Sequence, residues 1–308
     1  MSTSIIVDEH TQGQRLDVLC TTHLAGHSRS AVQKAIKDEK VLVNGIAAKT
    51  GYVVRIGDVI SIAIDAAASA APQEPQEPLS IPILYEDHDV VVINKPAGIA
   101  AHAGVGLTSG TIADWFHERY PNAVRVGEED GRPGIVHRLD KDTSGVMILA
   151  KNEKAYLHLK KQFKLHRVRK EYLALVFGAP GGKDGRITRP IARSRRNPMR
   201  RAVDEEGKEA VTHWQIEKKF GSSYALIRVF PLTGRMHQIR VHLHFLGYPI
   251  VGDQLYTFKR KKQPAGATRQ LLHAEKLMLQ LPNEKKKVFT APLPDDFQSV
   301  LTAIAKAV

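Results

Sequence analysis

One stretch poor in large apolar side chains divides this chain of 308 residues into two parts. Residues 66–82 read AAASAAPQEPQEPLSIP and contain almost nothing that a hydrophobic core would bury. Segments rich in Ala, Pro, Gln and Glu behave as extended linkers between folded units. We therefore expect a small domain over residues 1–65, a linker over residues 66–82 and a larger domain over residues 83–308.

The segment before the linker has the pattern of two short helices and a small sheet. Residues 13–24 repeat apolar side chains at helical spacing, and residues 27–40 do so after Ser28, a favoured N-cap residue. Residues 40–45, KVLVNG, alternate as a strand that ends in an Asn-Gly turn, and residues 55–64 have the pattern of a further strand. These elements predict a compact module.

Residues 13–62 resemble the S4 RNA-binding domain, whose fold is of the αL type. The resemblance is carried by QRLD, by SRS at the start of the second helix, by VLVNG, and by GD before the last strand. It implies that one helix face meets RNA phosphates, which position a nucleic acid without reading its sequence. A solvated helix face stays an open alternative, because residues 1–65 balance 7 Lys and Arg against 7 Asp and Glu. The residues expected to face RNA are Arg29, Ser30, Lys34 and Lys37.

The formal net charge of +13 is spread unevenly along the chain. Residues 1–150 carry 13 Lys and Arg against 19 Asp and Glu, whereas residues 151–308 carry 32 against 13. A basic half gains affinity for a polyanion by releasing counterions from phosphates, although such charge also keeps a protein soluble. The charge alone leaves both explanations open, and motifs must decide between them.

The densest basic segment is RPIARSRRNPMRRAV at residues 189–203. Its charges and Pro residues favour an irregular loop, which we expect to become ordered on RNA. The runs KLHRVRK at residues 164–170 and KRKK at residues 259–262 would extend the same basic surface. The residues of the loop expected to contact RNA are Arg195, Arg196, Arg200 and Arg201.

Charged residues interrupt two apolar runs in GIVHRLDKDTSGVMILAKN, residues 134–152. Uncompensated charge near a core costs several kcal/mol, so these charges either pair or take part in chemistry. Asp140 and Asp142 would share one face of a strand about 7 Å apart, a separation that permits glycosidase-like acid and base roles. A structural ion pair of Asp140 with Arg138 or with a distant Arg stays an open alternative.

The later segments favour an α+β fold with a mainly antiparallel sheet. Residues 170–178, 210–220 and 223–234 are strand-length, rich in β-branched or aromatic side chains, and bounded by Gly. Their hairpin-like spacing differs from the alternating strand and helix pattern of a parallel sheet. We therefore expect a mixed, mainly antiparallel sheet with flanking helices in the larger domain.

Several classes of protein do not fit the sequence. The single Cys20 allows no internal disulfide, and His237, His242 and His244 are spaced so that a helix does not bring all three to one face. We expect neither a metal nor a cofactor. No apolar run approaches the roughly 18 residues of a membrane span, and the first residues lack the order of a signal peptide. We expect a cytoplasmic monomer.

The larger domain resembles the RluA-type large-subunit rRNA pseudouridine synthases, and most closely their D-type branch. The signature HRLDKDTSG covers residues 137–145. Further stretches follow in order: INKPAG at 93–98, RKEYLALV at 169–176, GKEAVTHW at 207–214, LTGRMHQIRVHL at 232–243, VGDQLY at 251–256 and LLHAEKL at 271–277. The resemblance implies a pseudouridine synthase fold and the conversion of uridine to pseudouridine in RNA.

The same resemblance implies a role for four residues. Asp140 attacks the target uridine, and Arg138 fills the place that the flipped nucleotide leaves in the RNA stack. Tyr172 contacts the uracil ring, and Arg235 pairs with Asp140. Two rival functions remain at this point: an RNA-binding factor that keeps the fold without turnover, and the hydrolase that uses Asp140 and Asp142.

Overall fold

The computed structural model describes residues 3–9, 11–24, 29–63, 79–104, 107, 109–123, 125–128, 132–258 and 262–307, with the backbone alone at residues 3 and 29–31. These residues form two compact units: one consists of the residues before position 64 together with positions 104 and 107, and the other consists of the remaining residues after position 78. Most of the predicted linker, and KRKK apart from its last residue, lie outside the described residues. The predicted boundaries at residues 65 and 83 therefore stay predictions.

The first unit has two helices and a four-stranded antiparallel sheet in the order β1–β4–β2–β3. Its elements are β1 (Thr3–Ile6), α1 (Leu16–His23), α2 (Arg29–Lys37), β2 (Val41–Val43), β3 (Ile46–Ala47) and β4 (Val59–Ile62). The helices pack Leu16, Leu19 and Ile36 into a core with the sheet residues Ile60 and Ile62. The predicted helices and strands are thus confirmed, with bounds shifted by a few residues.

Asp58 explains why the GD pair stands before the last strand of this unit. The residue is 7% exposed, and its carboxylate accepts hydrogen bonds from the Asn44 amide at 2.8 Å and the Tyr52 hydroxyl at 2.9 Å. Asn44 has φ 52° and Gly45 has φ 79°, the left-handed turn conformation that Asn and Gly tolerate best. The buried carboxylate therefore ties the Asn-Gly turn to the start of β4.

The second unit is a nine-stranded sheet with four helices among the described residues. Its strands and helices are β5 (Ile83–Glu86), β6 (Val90–Lys95), α3 (Ile112–Arg119), β7 (Ser144–Ala150), α4 (Glu153–Lys164), β8 (Arg169–Phe177), β9 (Asp184–Thr188), β12 (Val211–Phe220), β13 (Tyr224–Pro231), α5 (Gln238–Phe245), β14 (Leu272–Gln280), β15 (Lys286–Thr290) and α6 (Asp295–Ala307). A separate hairpin consists of β10 (Ile191–Arg193) and β11 (Arg201–Val203).

The order in the large sheet is β5–β6–β7–β14–β8–β13–β12–β9, with β15 also paired to β14. Every pair is antiparallel except β7 with β14. That parallel contact runs through Gly145, which has φ 119° and would place a Cβ 2.2 Å from the Ala274 carbonyl oxygen. Only glycine fits so close to the neighbouring strand. The predicted α+β class with a mainly antiparallel sheet is confirmed.

Strand β7 is buried on both faces, which explains its unbroken apolar run. Val146 and Ile148 pack with α4, whereas Met147 and Leu149 pack with α3. Helix α5 covers another part of the sheet and packs with the β13 residues Ile227 and Val229. The loop before β7 and the start of α5 both border one cleft.

Candidate active site

A cleft of about 480 Å³ lies where the HRLD loop, the start of α5 and strand β8 meet. The structure brings to it four of the predicted residues: Arg138, Asp140, Tyr172 and Arg235. These residues are up to 97 positions apart in the chain, from Arg138 to Arg235. Their convergence in one cleft identifies it as the candidate active site.

The HRLD motif is a loop that lies against β7, rather than part of a strand. Its residue His137 stacks on Phe163, with ring centroids 4.6 Å apart, and its Nε2 accepts the Ile148 backbone N–H at 3.1 Å. Burial, and then the charge of Lys170, lower the pKa of His137 to about 3. The ring is therefore neutral and holds the loop in place.

The loop separates the two aspartates that a strand would have aligned. The Asp140 carbonyl accepts the Thr143 N–H at 3.0 Å. This hydrogen bond closes a turn that contains both aspartates and ends just before β7. Asp140 lines the cleft, and Asp142 is not among the residues that line it. The expectation that both carboxylates share one strand face is therefore wrong.

Asp140 forms an ion pair with Arg240 of α5. The Arg240 Nη1 donates to Asp140 Oδ2 at 2.9 Å, while its Nε and Nη2 donate to both oxygens of Asp253 at 2.7 and 3.0 Å. The Arg240 side chain is 6% exposed, that of Asp253 is fully buried, and that of Asp140 is 18% exposed. One guanidinium thus holds a structural carboxylate behind it and a cleft carboxylate in front.

The charges of this buried set are mutually stabilised. Burial raises the pKa of Asp253, but its hydrogen bonds and charge interaction with Arg240 outweigh burial and bring that pKa below its usual value. Burial also lowers the pKa of Arg240, and the two carboxylates more than compensate, so its pKa is raised. Arg240 is therefore a permanent cation beside Asp140.

The predicted pairing of Asp140 with Arg235 is wrong. Arg235 lies in the turn before α5, is exposed, and donates from Nε to the Glu209 carbonyl at 2.9 Å. Its backbone N–H is held by the Gln238 side chain at 2.9 Å. Arg235 belongs to the rim of the cleft, where its charge is available to a ligand.

Sequence reasoning also missed His237 as a neighbour of the carboxylate. Its Nε2 is 3.9 Å from Asp140 Oδ2, and its Nδ1 is 2.9 Å from the Tyr256 hydroxyl. Burial lowers the pKa of His237, although the Asp140 charge opposes this. With φ 57°, His237 adopts the left-handed conformation that is uncommon for residues other than glycine.

Tyr172 lies on β8, and its side chain borders the same cleft. Burial, and then the charge of Asp140, raise its pKa above the usual value for tyrosine. The hydroxyl therefore stays protonated, and the ring offers a flat apolar face in the cleft. This arrangement suits contact with a planar base.

Arg138 is exposed and is oriented by His102. The Arg138 Nη1 lies 3.0 Å from His102 Nε2, and His102 Nδ1 is 2.8 Å from the Ala103 carbonyl. Because the carbonyl requires a proton on Nδ1, Nε2 of the neutral ring accepts from the guanidinium. His102 thus fixes one end of an otherwise exposed cation at the cleft.

Lys95, from the INKPAG stretch, binds the backbone of the HRLD loop through its buried ammonium group. Its side chain is fully buried, and Nζ donates to the carbonyls of Pro96, Ile99 and Lys141 at 2.7, 2.7 and 3.0 Å. Three acceptors match the three protons of an ammonium group. Burial lowers the pKa of Lys95 to about 7, opposed by the charges of Asp142 and Asp140. The motif lysine is therefore structural.

The arginine-rich segment forms the hairpin of β10 and β11 in the absence of RNA. The expectation that the segment is irregular until it binds RNA is therefore wrong for these two strands. Arg195 and Arg196 are exposed, and Arg195 Nη2 contacts Glu206 at 2.6 Å. Arg200 lies over the Tyr256 ring at 5.7 Å and donates to the Leu255 carbonyl. The Arg200 side chain therefore packs against Tyr256 and Leu255 instead of extending freely into solvent.

Arg201 is held by the same neighbourhood as Arg200. Its backbone N–H donates to the Tyr256 hydroxyl at 2.7 Å, and its Nη2 contacts the Met236 sulfur at 3.1 Å. Since Met236 lines the cleft, β11 and the cleft wall are connected. In the S4-like unit, Lys34 and Lys37 are exposed on α2, whereas the side chains of Arg29 and Ser30 lie outside the described residues.

The three histidines considered for a metal have separate surroundings. His242 is bonded to Thr212 at 2.8 Å and to the Arg189 carbonyl at 3.0 Å, and the His244 ring lies 4.8 Å from Phe258. Within the described part of the chain, no group of three or more His, Cys, Asp or Glu is placed to hold a metal ion. None of the described helices is long and apolar enough to span a membrane.

The sequence matches two known families over most of the two units. The profile described as RNA pseudouridylate synthase matches residues 89–245, which include Asp140, Tyr172 and Arg240. The S4 domain profile matches residues 14–60. The chain therefore belongs to the RNA pseudouridylate synthase family and carries an S4 domain in its first part.

Relatives match the chain over nearly its whole length. The uncharacterized RNA pseudouridine synthase YlyB of Bacillus subtilis is 35% identical over 303 residues, 98% of both chains. Ribosomal large subunit pseudouridine synthase D of Xylella fastidiosa is 38% identical and covers 97% of this chain, which in turn covers 91% of that protein. The solved structure of human RNA pseudouridylate synthase domain containing 4 has a TM-score of 0.58 at 28% identity, over 73% of this chain and 93% of that one. The predicted family, enzyme class and RNA partner are confirmed.

Proposed function

We propose that the chain converts uridines of large-subunit ribosomal RNA to pseudouridine with Asp140 as the attacking group. The position of Asp140 carries this proposal. Its Oδ2 is held by Arg240, and its Oδ1 accepts no hydrogen bond from the described residues. A carboxylate nucleophile must stay ionised when a bound base excludes water, and an adjacent guanidinium favours that form.

The reaction requires one bond to be exchanged for another within the same nucleotide. The N1–C1′ bond of the uridine breaks, a C5–C1′ bond forms, C5 loses a proton and N1 gains one. The mass of the RNA is unchanged, and no external electron or group donor is needed. A single attacking carboxylate with a protonated tyrosine beside the ring fits this chemistry better than a redox or metal-assisted step.

Arg138 and Tyr172 are the residues we assign to the flipped nucleotide. A base inside folded RNA must leave its stack before its glycosidic bond becomes accessible, which costs a few kcal/mol. The exposed Arg138 guanidinium, oriented by His102, is suited to occupy the vacated place between bases. Tyr172 would lie against the uracil, and Arg235 would meet a phosphate at the rim.

Large-subunit ribosomal RNA is the proposed substrate because relatives that match nearly the whole chain are named ribosomal large subunit pseudouridine synthase D. The S4 domain supports a structured RNA, since its exposed Lys34 and Lys37 are suited to phosphate contacts. The hydrolase alternative lacks support, because it needs a second carboxylate in the cleft and Asp142 does not line it.

A conversion assay on two RNA classes tests the substrate. Purified protein is incubated with in vitro transcripts of large-subunit rRNA and of tRNA, and pseudouridine is mapped by chemical derivatisation. We expect conversion at specific rRNA uridines, little in tRNA, and no release of free uracil. Conversion of tRNA alone would overturn the substrate assignment, free uracil would indicate a hydrolase, and tight binding without conversion would indicate a non-catalytic RNA-binding factor.

The hairpin between β10 and β11 is expected to contribute to RNA affinity through its exposed arginines. In an Arg195→Gln/Arg196→Gln variant, the slope of log affinity against log salt should fall by somewhat under ~1 for each RNA phosphate that the variant no longer neutralises. Arg200 and Arg201 are left unchanged because Arg200 packs on Tyr256 and Arg201 contacts Met236 of the cleft wall.

The matched control for the hairpin removes the same charge elsewhere. Lys219 and Lys306 are exposed and form no ion pair with described residues, so Lys219→Gln/Lys306→Gln loses two positive charges at sites outside the cleft and hairpin. Affinity is measured by filter binding from about 50 to about 300 mM salt, the range over which counterion release changes affinity steeply. Equal slopes for the hairpin variant and wild type would show that the hairpin is a solvated surface.

A further inference from the structure

The large sheet opens at one end, between β8 and β13. The two strands pair over residues 172–177 of β8 and 224–229 of β13. Beyond this range, residues 169–171 pair with β14 alone, and residues 230–231 pair with β12 alone, among the described strands. The strands therefore diverge, and a groove of about 690 Å³ lies between the two halves of the sheet.

Positive side chains line both walls of this groove. Arg167 and Arg169 come from the β8 wall, whereas Arg186 of β9 comes from the opposite wall. Asp184 is the one carboxylate among the described residues that line the groove. A groove with cations on two walls and so little negative charge is complementary to a phosphodiester chain.

Two of these cations are unpaired, and a third lies over an aromatic ring. Arg167 and Arg186 are exposed and have no acidic partner among the described residues. The Arg169 guanidinium pairs with Glu171 at 3.0 Å and lies 5.6 Å from the centroid of the Phe230 ring, across the opening. Guanidinium groups beside aromatic rings are a common feature of grooves that bind single-stranded nucleic acid.

The groove is continuous with the active-site cleft. His166, Lys170 and Pro231 line both. Lys170 spans the junction, where its Nζ contacts the Thr233 carbonyl at 3.4 Å. An RNA strand whose uridine occupies the cleft can therefore run directly into the groove.

We infer that this groove binds the backbone of the RNA strand next to the target uridine, with Arg167 and Arg186 holding phosphates from opposite walls. The inference rests on the proposed function, since it assumes that the cleft takes a uridine of an RNA chain. It assigns the run KLHRVRK to the strand that flanks the reacting nucleotide. The groove thus explains why this basic run precedes β8 at the edge of the cleft.

A cycle of protein and RNA changes tests the inference. The variant is Arg167→Gln/Arg186→Gln, and the control is Lys219→Gln/Lys306→Gln, which removes equal charge. The probes are three fragments of a large-subunit rRNA transcript around a uridine that wild type converts. One fragment is intact, one keeps a single nucleotide on the 5′ side of that uridine, and one keeps a single nucleotide on its 3′ side. Affinity and conversion are measured for each pair.

On the intact fragment, the variant should bind about fivefold to tenfold more weakly than wild type, while the control binds within about twofold. On the fragment trimmed on one particular side, wild type and variant should bind alike, because the phosphates that the two arginines hold are gone. The same fold-loss on all three fragments would overturn the inference, as would no loss at all. Absence of conversion by wild type on every transcript would instead refute the proposed function.

Discussion

An Asp140→Asn variant is expected to lose pseudouridine formation by about 10⁴-fold or more, while it folds and binds RNA. Asparagine keeps the shape of the side chain but has no nucleophilic oxygen of comparable strength. Folding should be retained, because Arg240 keeps both of its hydrogen bonds to Asp253 when asparagine replaces Asp140. The loss therefore separates a nucleophile from a structural partner of Arg240.

Single-turnover conversion, RNA affinity and thermal unfolding are the three measurements for this variant. The matched control is Asp142→Asn, which removes the neighbouring carboxylate outside the cleft and should keep most of the activity. Substantial turnover by Asp140→Asn would refute the attacking role. A folded Asp142→Asn protein without turnover would revive a mechanism with two carboxylates.

The site is predictable where charge stands inside an apolar sequence. Arg138 and Asp140 attract attention because charges between apolar runs must be paired or functional. The same argument applies to Arg240, which stands in HQIRVHL between Ile239 and Val241, and to Asp253 after Ile250 and Val251. The signal is present in the sequence, but only the folded chain shows which charges meet.

Arg235 and Arg240 cannot be told apart as partners of Asp140 by anything local in the sequence. Both lie in the stretch LTGRMHQIRVHL, one before the helix and one within it. The difference depends on how α5 packs on the sheet, which brings Arg240 to Asp140 across 100 positions of the chain. A long-range contact of this kind leaves no periodic signal.

Local patterns in the sequence predict the fold class, but the long-range strand contacts of the sheet cannot be predicted from them. Strand length, β-branched content and hairpin spacing are local, and they indicate an antiparallel α+β sheet. The parallel contact of β7 with β14 joins Ser144 to His273, and the divergence of β8 from β13 depends on three strands at once. The pattern of residues 191–203 favours a loop instead of the observed hairpin, because the charges there outweigh two short strand segments.

Replacement of Arg240 by Met is expected to lower the free energy of unfolding by about 3–5 kcal/mol, because it leaves Asp253 buried without its partner. In a domain of this size, this corresponds to a fall of roughly 10 °C in the apparent Tm. Activity should fall as well, since Asp140 loses the hydrogen bond that holds its Oδ2 in the cleft. Thermal unfolding and single-turnover conversion measure the two effects.

The matched control for Arg240→Met is Arg235→Met, which removes an exposed arginine from the same cleft and should change stability by less than about 0.5 kcal/mol. If Arg240→Met does not fold, Arg240→Lys is the second variant. Lysine keeps the positive charge but lacks the planar guanidinium that reaches Asp140 and Asp253 together. We expect Arg240→Lys to fold, with a reduced rate of conversion and near-normal RNA affinity. A structural role alone would lower stability in Arg240→Lys without lowering the rate at saturating RNA. Equal destabilisation by Arg235→Met and Arg240→Met would contradict the assignment of Arg240 as the partner of Asp140, because only a buried guanidinium between two carboxylates makes its loss so costly.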